Sequence, residues 1–221
     1  MNTLLKPLQV RETLLKKNVR TFTVQDFESI FHTTPKQTKL FLRRQTEEGL
    51  LARLKQGMYA LQTDFPSGEI IANSLYRPSY ISFEYALAFW GILPEMPYSI
   101  TSATTKPTRD FVVNSRAYSY FTIKPEAYTG YRLVSSNNRI SLKDDFVYFS
   151  EMENNKAFLI AEPEKALVDY LYFVSLGKRS MNDRLYIKPG MLSKRKLVAY
   201  AKLYNRKKLM ELVKAVYDNN W

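Results

Sequence analysis

The first part of the chain carries segments in which apolar residues return at helical spacing. The first such segment has apolar residues at Leu5, Leu8, Leu14 and Leu15. We expect this helix to end near residues 16–17. In the second segment, TVQDFESIF, Thr23 is a suitable N-cap and Asp26 lies in the first turn, where a carboxylate is favoured by the helix dipole. Its apolar face consists of Phe27, Ile30 and Phe31. The pattern predicts two successive helices.

The third helical segment, TPKQTKLFLRRQTEEG, has clear boundaries. Thr34 is predicted as its N-cap. Pro35 takes the first helical position, where its missing N–H is not needed. The helix is expected to run to Glu48 and to stop at Gly49, the residue type that most often ends helices.

A short hairpin is predicted directly after the third helix. LLARLKQGMYAL gives strands over 51–54 and 58–61 around a turn at residues 55–57. The order helix, helix, turn, helix, hairpin is that of a winged helix-turn-helix. We therefore predict a winged helix-turn-helix domain over residues 1–65.

A larger mixed domain is predicted after a linker, QTDFPSGE, and spans residues 69–221. The helices EIIANSLY and FEYALAFWGI, the latter capped by Ser82, come first, with PSYIS extended between them. Residues 98–160 are strand-rich, and residues 162–221 are helical. The candidate strands are YSITSAT, RDFVV, YSYFTI, YRLV, DDFVYFS and KAFLI. The predicted fold class is α+β.

The segment AEPEKALVDYLYFVSL predicts a strong helix with Pro163 near its start. Its apolar stripe consists of Ala166, Leu167, Tyr170, Leu171 and Val174. Glu162, Glu164 and Asp169 resemble a carboxylate cluster, but charges near a helix N-terminus account for them more simply. Two further helices, SKRKLVAYAKLYN and RKKLMELVKAVY, begin at Ser193.

Composition excludes several classes of function. The chain has no cysteine, hence no disulfide, thiolate metal site or cysteine nucleophile. His32 is the one histidine, and the patterns GxGxxG, GxxxxGK[ST] and GxSxG do not occur. We expect no metal, no cofactor and no enzymatic activity. Without a long apolar run or a signal-peptide pattern, a cytoplasmic location is expected.

The formal net charge of +12 is unevenly distributed. Residues 1–65 carry a net charge of +5, residues 66–171 carry −2, and residues 172–221 carry +9. Two basic ends around a near-neutral middle favour a polyanionic partner, most simply nucleic acid. A charge that only keeps the protein soluble is the alternative.

The third helix concentrates the candidate DNA contacts. Lys36, Lys39 and Arg43 share one face by their spacing. Thr38, Phe41, Leu42 and Gln45 are predicted to face the core. The start of such a helix enters the major groove, where glutamine reads adenine and lysine reaches guanine or phosphate. The predicted DNA-binding residues are Thr34, Lys36, Gln37 and Lys39, with Arg43 and Arg44 on the backbone, and Arg53, Lys55 and Gln56 in the wing.

A solvated surface helix is the competing interpretation of this basic face. Two features favour DNA binding: the turn-helix-wing order, and lysines at the helix start, where they oppose the helix dipole and do not stabilise the helix. Gln45 and Thr46 weaken the assignment slightly, because apolar residues are more usual at their positions.

A second basic region follows residue 172. Its cations are Lys178, Arg179, Lys194, Arg195, Lys196, Arg206, Lys207 and Lys208. Three interpretations remain open: a second polyanion surface, a face for an acidic protein, or solvated terminal helices.

The chain resembles the AbiEi family, the antitoxin and transcriptional-regulator components of type IV toxin–antitoxin, or abortive-infection, systems. GMYAL, IIANSLYRPSYISFEYALAFWGILPE, ITSATTKPTRDF, IAEPEKALVDYLYF and LSKRKLVAYAKLYNRKKLMELV carry the resemblance in order. It implies an N-terminal winged helix that represses its own operon at inverted repeats, as a monomer or as a cooperative pair on DNA. It also implies a C-terminal antitoxin domain that counteracts a nucleotidyltransferase toxin without a stable complex. Lys106 and Arg109, in TTKPTR, are placed with the basic C-terminal surface.

The alternative to operator-specific binding is a protein- or RNA-interaction module that uses the same basic surfaces. Binding to DNA is expected to weaken steeply as salt rises, roughly in proportion to the number of phosphates contacted.

Overall fold

A computed structural model of the chain describes residues 5–135 and 157–219. Within these ranges the chain forms two compact units, one of residues 5–75 together with 135 and 157, and one of residues 76–134 and 158–219. The helix EIIANSLY, which the sequence assigned to the second domain, lies in the first unit. In the described ranges, no helix has the length and apolarity that crossing a bilayer requires.

The first unit begins with three helices and a short strand. Its elements are α1 (Pro7–Lys16), β1 (Thr21–Thr23), α2 (Val24–Phe31), α3 (Pro35–Glu47), β2 (Leu51–Lys55), β3 (Met58–Leu61) and α4 (Gly68–Leu75). The three strands form an antiparallel sheet in the order β1-β3-β2. This order of elements confirms the winged helix predicted for the N-terminal part. Strand β1 was not predicted, because TFT is too short to show alternation.

Helix boundaries in the first unit follow the predicted caps. Thr23 Oγ1 accepts the Asp26 N–H, and the Asp26 carboxylate accepts the Thr23 N–H at 2.8 Å, which completes a capping box. His32 ends α2 in the left-handed conformation, with a φ of 50°. Gly49 (φ 79°) follows α3, and Gly57 (φ 75°) makes the tight turn of the hairpin.

An apolar core joins the three helices to the sheet. Its buried members are Val10, Leu14, Phe22, Phe27, Leu42, Leu51 and Leu61. Phe27 lies at the centre, with its ring 4.5 Å from that of Phe31 and 5.5 Å from that of Phe41. The expectation for Leu8 was wrong: it is 65% exposed, and Val10 occupies the core in its place.

The second unit consists of a mixed sheet with helices. Its strands are β4 (Ser79–Ile81), β5 (Ile100–Thr104), β6 (Arg109–Val113), β7 (Arg116–Thr122), β8 (Tyr131–Ser135) and β9 (Ala157–Ala161). Its α-helices are α5 (Phe83–Phe89), α6 (Pro163–Ser175), α7 (Lys194–Leu203) and α8 (Lys207–Asn219). The strand order is β6-β7-β5-β4-β9-β8. The strand predicted at DDFVYFS lies outside the described residues. The α+β class is confirmed.

Helix α6 is buried on nearly every side, and its polar residues meet inside the core. Lys165 and Asp169, both 0% exposed, form an ion pair. Asp169 also accepts from Tyr80 Oη at 3.0 Å and Ser82 Oγ at 2.7 Å, and from the Tyr204 hydroxyl. Because burial, and then the charge of Asp169, raise the pKa of both tyrosines far above its ordinary value, both remain hydrogen-bond donors.

Two expectations for this region need correction. Ser82 is at the N-cap position of α5, but it makes no side-chain cap bond because its hydroxyl is directed to Asp169. Asp169 is not a charge at a helix N-terminus: it is the buried acceptor of the network. Glu162 and Glu164 have separate partners, Lys196 and the Ser193 N–H, so the three acids do not form one cluster.

Replacement of Asp169 by asparagine is expected to destabilise the second unit more than replacement of Lys165 by methionine. Asp169→Asn leaves the Lys165 ammonium buried without a counter-ion, which costs about 3–5 kcal/mol. In Lys165→Met, three hydroxyl donors still satisfy the carboxylate. Urea unfolding of both variants checks this order, and equal losses would contradict the assignment of Asp169 as the central acceptor.

Candidate nucleic-acid interface

Helix α3 presents one polar outer face because its other face is held in the core. Thr38, Leu42 and Gln45 are each at most 2% exposed. With about 100° between successive residues, Lys36, Leu40, Arg43 and Glu47 fall within about 60° of one another on the opposite side. This outer face is defined by those four residues together with Lys39, and all five are exposed. The predicted division of α3 into a core side and a solvent side is confirmed.

The buried polar residues of α3 all have partners. The Thr38 hydroxyl bonds to the Thr33 hydroxyl at 2.7 Å and donates to the Thr34 carbonyl at 3.1 Å. Gln45 Nε2 donates to Glu48 Oε2 at 2.7 Å. Because these groups are satisfied, a polar residue at these positions is compatible with the core. The doubt raised by Gln45 in the sequence is thereby removed.

The start of α3 is fixed by a second capping box. Thr34 N–H donates to Gln37 Oε1 at 3.1 Å, and Gln37 N–H donates to Thr34 Oγ1. Thr34 and Gln37 therefore hold the helix start, in addition to the DNA-reading role predicted for them. The amide oxygen of Gln37 is occupied by this cap, so a contact to adenine would require it to exchange partners.

The positive charges of Lys36 and Lys39, at the start of α3, are not neutralised by acidic side chains among the described residues. Both are exposed, the first turn holds no acidic residue, and within residues 5–135 and 157–219 neither ammonium has a hydrogen bond or ion pair. Positive charge here opposes the N-terminal dipole. An external anion at this position would remove that conflict.

Arg43 and Arg44 are held by acids one turn further along α3. Arg44 Nε lies 2.6 Å from Glu48 Oε1, and Arg43 Nε lies 3.8 Å from Glu47 Oε1. The hydrogen bond from Arg44, then that from Gln45, keep the pKa of Glu48 below its ordinary value, so the carboxylate stays charged at neutral pH. A phosphate would compete with these two acids for the arginines.

The hairpin presents Arg53 and Gln56 to solvent. Lys55 differs from the prediction: it lies in β2 and not in the turn, and its ammonium donates to the Leu75 carbonyl at 2.5 Å. Terminal carbonyls of a helix lack internal partners, so this contact satisfies the end of α4. Lys55 is therefore a structural residue within the first unit, and Arg53 and Gln56 are the exposed members of the wing.

Several cations of the second unit have structural partners and are not free surface charges. Arg179 pairs with Glu84, and its guanidinium lies 4.4 Å from the Phe121 ring and 4.7 Å from the Phe83 ring. Arg206 donates to the Ser175 hydroxyl at 2.9 Å and to its carbonyl at 2.8 Å, at the end of α6.

Lys196 is compensated by an acid. Its ammonium donates to Glu162 Oε2 at 2.8 Å. This hydrogen bond raises the pKa of Lys196. Of the predicted cations from residue 172 onward, Lys196 is exposed despite this partner, and so are Lys178, Lys194, Arg195, Lys207 and Lys208.

Lys106 and Arg109 form a separate basic patch. Both are exposed; the Lys106 ammonium lies 5.5 Å from the Tyr76 ring centre, and the Arg109 guanidinium lies 5.5 Å from that of Phe111. Arg109 is in edge strand β6, four strand spacings, or about 19 Å, from β9, which leads into α6. The structure therefore does not place this patch beside Lys196, as the sequence grouping assumed.

The sequence reasoning missed Leu40, an exposed leucine on the outer face of α3. Its spacing from Lys36 (i+4) and Arg43 (i−3) places it on the basic face, but a leucine in an amphipathic helix is usually assigned to the core and not to a binding face. Over the described parts of the chain, no group of three or more histidine, aspartate or glutamate side chains is placed to hold a metal ion.

Part of the first unit is similar to a known protein family. Residues 12–62 match the family model described as "Transcriptional regulator, AbiEi antitoxin". The match runs from the middle of α1 through α3 and the hairpin, the segment that carries the outer face and the wing. A search of curated proteins finds no significant match. Over residues 12–62 the chain is therefore similar to the AbiEi antitoxins, a family of transcriptional regulators, as the sequence resemblance led us to expect.

Proposed function

We propose that this protein is the antitoxin of a toxin–antitoxin operon and represses that operon by binding its promoter through α3 and the wing. The supporting observation is the outer face of α3, where Lys36 and Lys39 are exposed, uncompensated and set against the helix dipole. A major groove supplies both the phosphates and the base edges that such a helix start contacts.

The proposal assigns different roles to the two parts of the chain. Residues 1–65 bind inverted repeats in the promoter, either as separate monomers or as a cooperative pair. Residues 69–221 counteract a nucleotidyltransferase toxin in the cytoplasm, without a stable complex with it. The neutralising surface is assigned to Lys178, Lys194, Arg195, Lys207 and Lys208, which are exposed, with Lys106 and Arg109 as a second basic patch.

Lys36→Ala and Lys39→Ala are each expected to weaken binding to the promoter duplex. Loss of a base contact costs about 1–3 kcal/mol, or roughly 5- to 150-fold in the dissociation constant. Arg53→Ala in the wing is expected to weaken promoter and scrambled DNA alike and to lower the salt slope by about 1. Gel shifts against both duplexes at several salt concentrations measure these effects.

One control and one further variant make this test specific. Lys202→Ala removes an exposed lysine from α7 and should leave promoter affinity unchanged. Gln37→Glu preserves the acceptor of the capping box, so the fold is retained while the donor to adenine is lost. An unchanged preference for the promoter in the Lys36, Lys39 and Gln37 variants would refute base reading by α3.

Glu48→Gln is expected to strengthen DNA binding, since it releases Arg44 and removes a negative charge beside the interface. Because an exposed ion pair holds its partners only weakly, we expect a roughly two- to fivefold gain on promoter and scrambled DNA alike. Glu12→Gln in α1 is the control for net charge. An equal gain in the two variants would show that Arg44 does not contact the backbone.

Charge reversal of the exposed C-terminal cations tests the antitoxin role. Arg195→Glu, Lys207→Glu and Lys208→Glu together should abolish protection against the toxin encoded next to the gene, while promoter affinity is retained. Lys202→Glu is the matched control, and growth during co-expression is the measurement. Full protection by the triple variant would exclude this surface, and joint loss of promoter binding would assign it to DNA.

A protein- or RNA-interaction module is the second candidate function. The patch of Lys106 and Arg109 favours it, because cations next to the Tyr76 and Phe111 rings suit unpaired bases. Tighter binding of single-stranded RNA than of the promoter duplex would favour this alternative.

A further inference from the structure

Leu40 is an apolar side chain at the centre of the basic outer face of α3. It is 60% exposed, and it lies one turn after Lys36 and one turn before Arg43 on the same face. Among the described residues of the first unit, Leu8 (65%) and Leu40 (60%) are the exposed large hydrophobic residues. Only Leu40 is surrounded by the cations of the candidate interface.

We propose that Leu40 contacts the C5-methyl group of a thymine in the major groove and thereby selects a T·A pair at one operator position. The inference rests on the proposed promoter binding by α3. The thymine methyl is the apolar group that the major groove displays, and apolar side chains recognise it by contact. The cations around Leu40 bring the helix against phosphates, so its side chain would be buried only when DNA is bound.

The position of Leu40 fits this role better than that of its neighbours. Lys36 and Lys39 carry ammonium groups, which suit guanine or phosphate, and Gln37 already serves the capping box. Arg43 and Arg44 lie beside Glu47 and Glu48. Leu40 is thus the member of the outer face that can distinguish thymine from the other bases by apolar contact.

The test combines a protein change with the removal of one methyl group from the DNA. Each thymine inside the footprint on the promoter duplex is replaced in turn by deoxyuridine, which keeps the base pair and loses the methyl. For the unaltered protein we expect one position per half-site at which affinity falls about threefold to fivefold, the effect of one buried carbon. For Leu40→Ala, affinity for the thymine duplex falls, and the difference between thymine and deoxyuridine disappears.

Leu8→Ala is the matched control, because it removes an equally exposed leucine from α1 of the same unit. It should retain the full deoxyuridine effect. Urea unfolding of Leu40→Ala should match that of the unaltered protein, since the side chain is outside the core and alanine favours helix.

The outcomes separate this inference from the proposed function. If the promoter is preferred over scrambled DNA but no deoxyuridine substitution weakens binding, the thymine contact is wrong and promoter recognition stands. An undiminished deoxyuridine effect in Leu40→Ala would likewise overturn the role of Leu40. If the promoter is not preferred at all, both the proposed function and the inference fail.

Discussion

The orientation of α3 about its own axis is the constraint on which the candidate interface depends. Leu42 fixes that orientation because it lies in the apolar core, and Thr38 and Gln45, each at most 2% exposed, lie on the same inner side. A rotation of the helix by one residue, about 100°, would take Leu42 out of the core. The same three residues therefore decide that Lys36, Leu40 and Arg43 face outward.

In the second unit, the buried carboxylate of Asp169 fixes the position of helix α6. The Asp169 carboxylate pairs with a lysine of its own helix and accepts hydrogen bonds from two side chains of the β4 region and from the tyrosine that ends α7. Burial lowers the pKa of Lys165, and the charge of Asp169 opposes that shift. Since these partners come from α6 itself, from the β4 region and from the end of α7, the network sets the position of α6 against the sheet and α7 together. Apolar packing alone would allow α6 to slide or turn.

Local signals predicted the first unit well because its boundaries are set by neighbouring residues. Thr23, Thr34, Pro35 and Gly57 act within three or four positions of themselves, so sequence spacing suffices to place α2, α3 and the hairpin. The roles of Lys55 and Arg179 could not be predicted in this way. Lys55 meets a carbonyl 20 residues away and Arg179 meets a carboxylate 95 residues away, and a basic residue gives no sign in the sequence of whether it has such a partner.

The starts of α7 and α3 carry similar basic residues but differ in the acidic partners that the fold provides for them. Helix α7 opens with Lys194, Arg195 and Lys196, and α3 with Lys36 and Lys39, so both place cations at a positive dipole end. At α7 the fold supplies acids, since Glu162 pairs with Lys196 and Glu164 accepts the Ser193 N–H. At α3 the first turn holds no acid, and Glu47 and Glu48, at the other end of the helix, pair with Arg43 and Arg44. Sequence alone shows two similar basic helix starts. The contacts differ: at α7 an acid pairs with Lys196, whereas among the described residues Lys36 and Lys39 of α3 have no acidic partner.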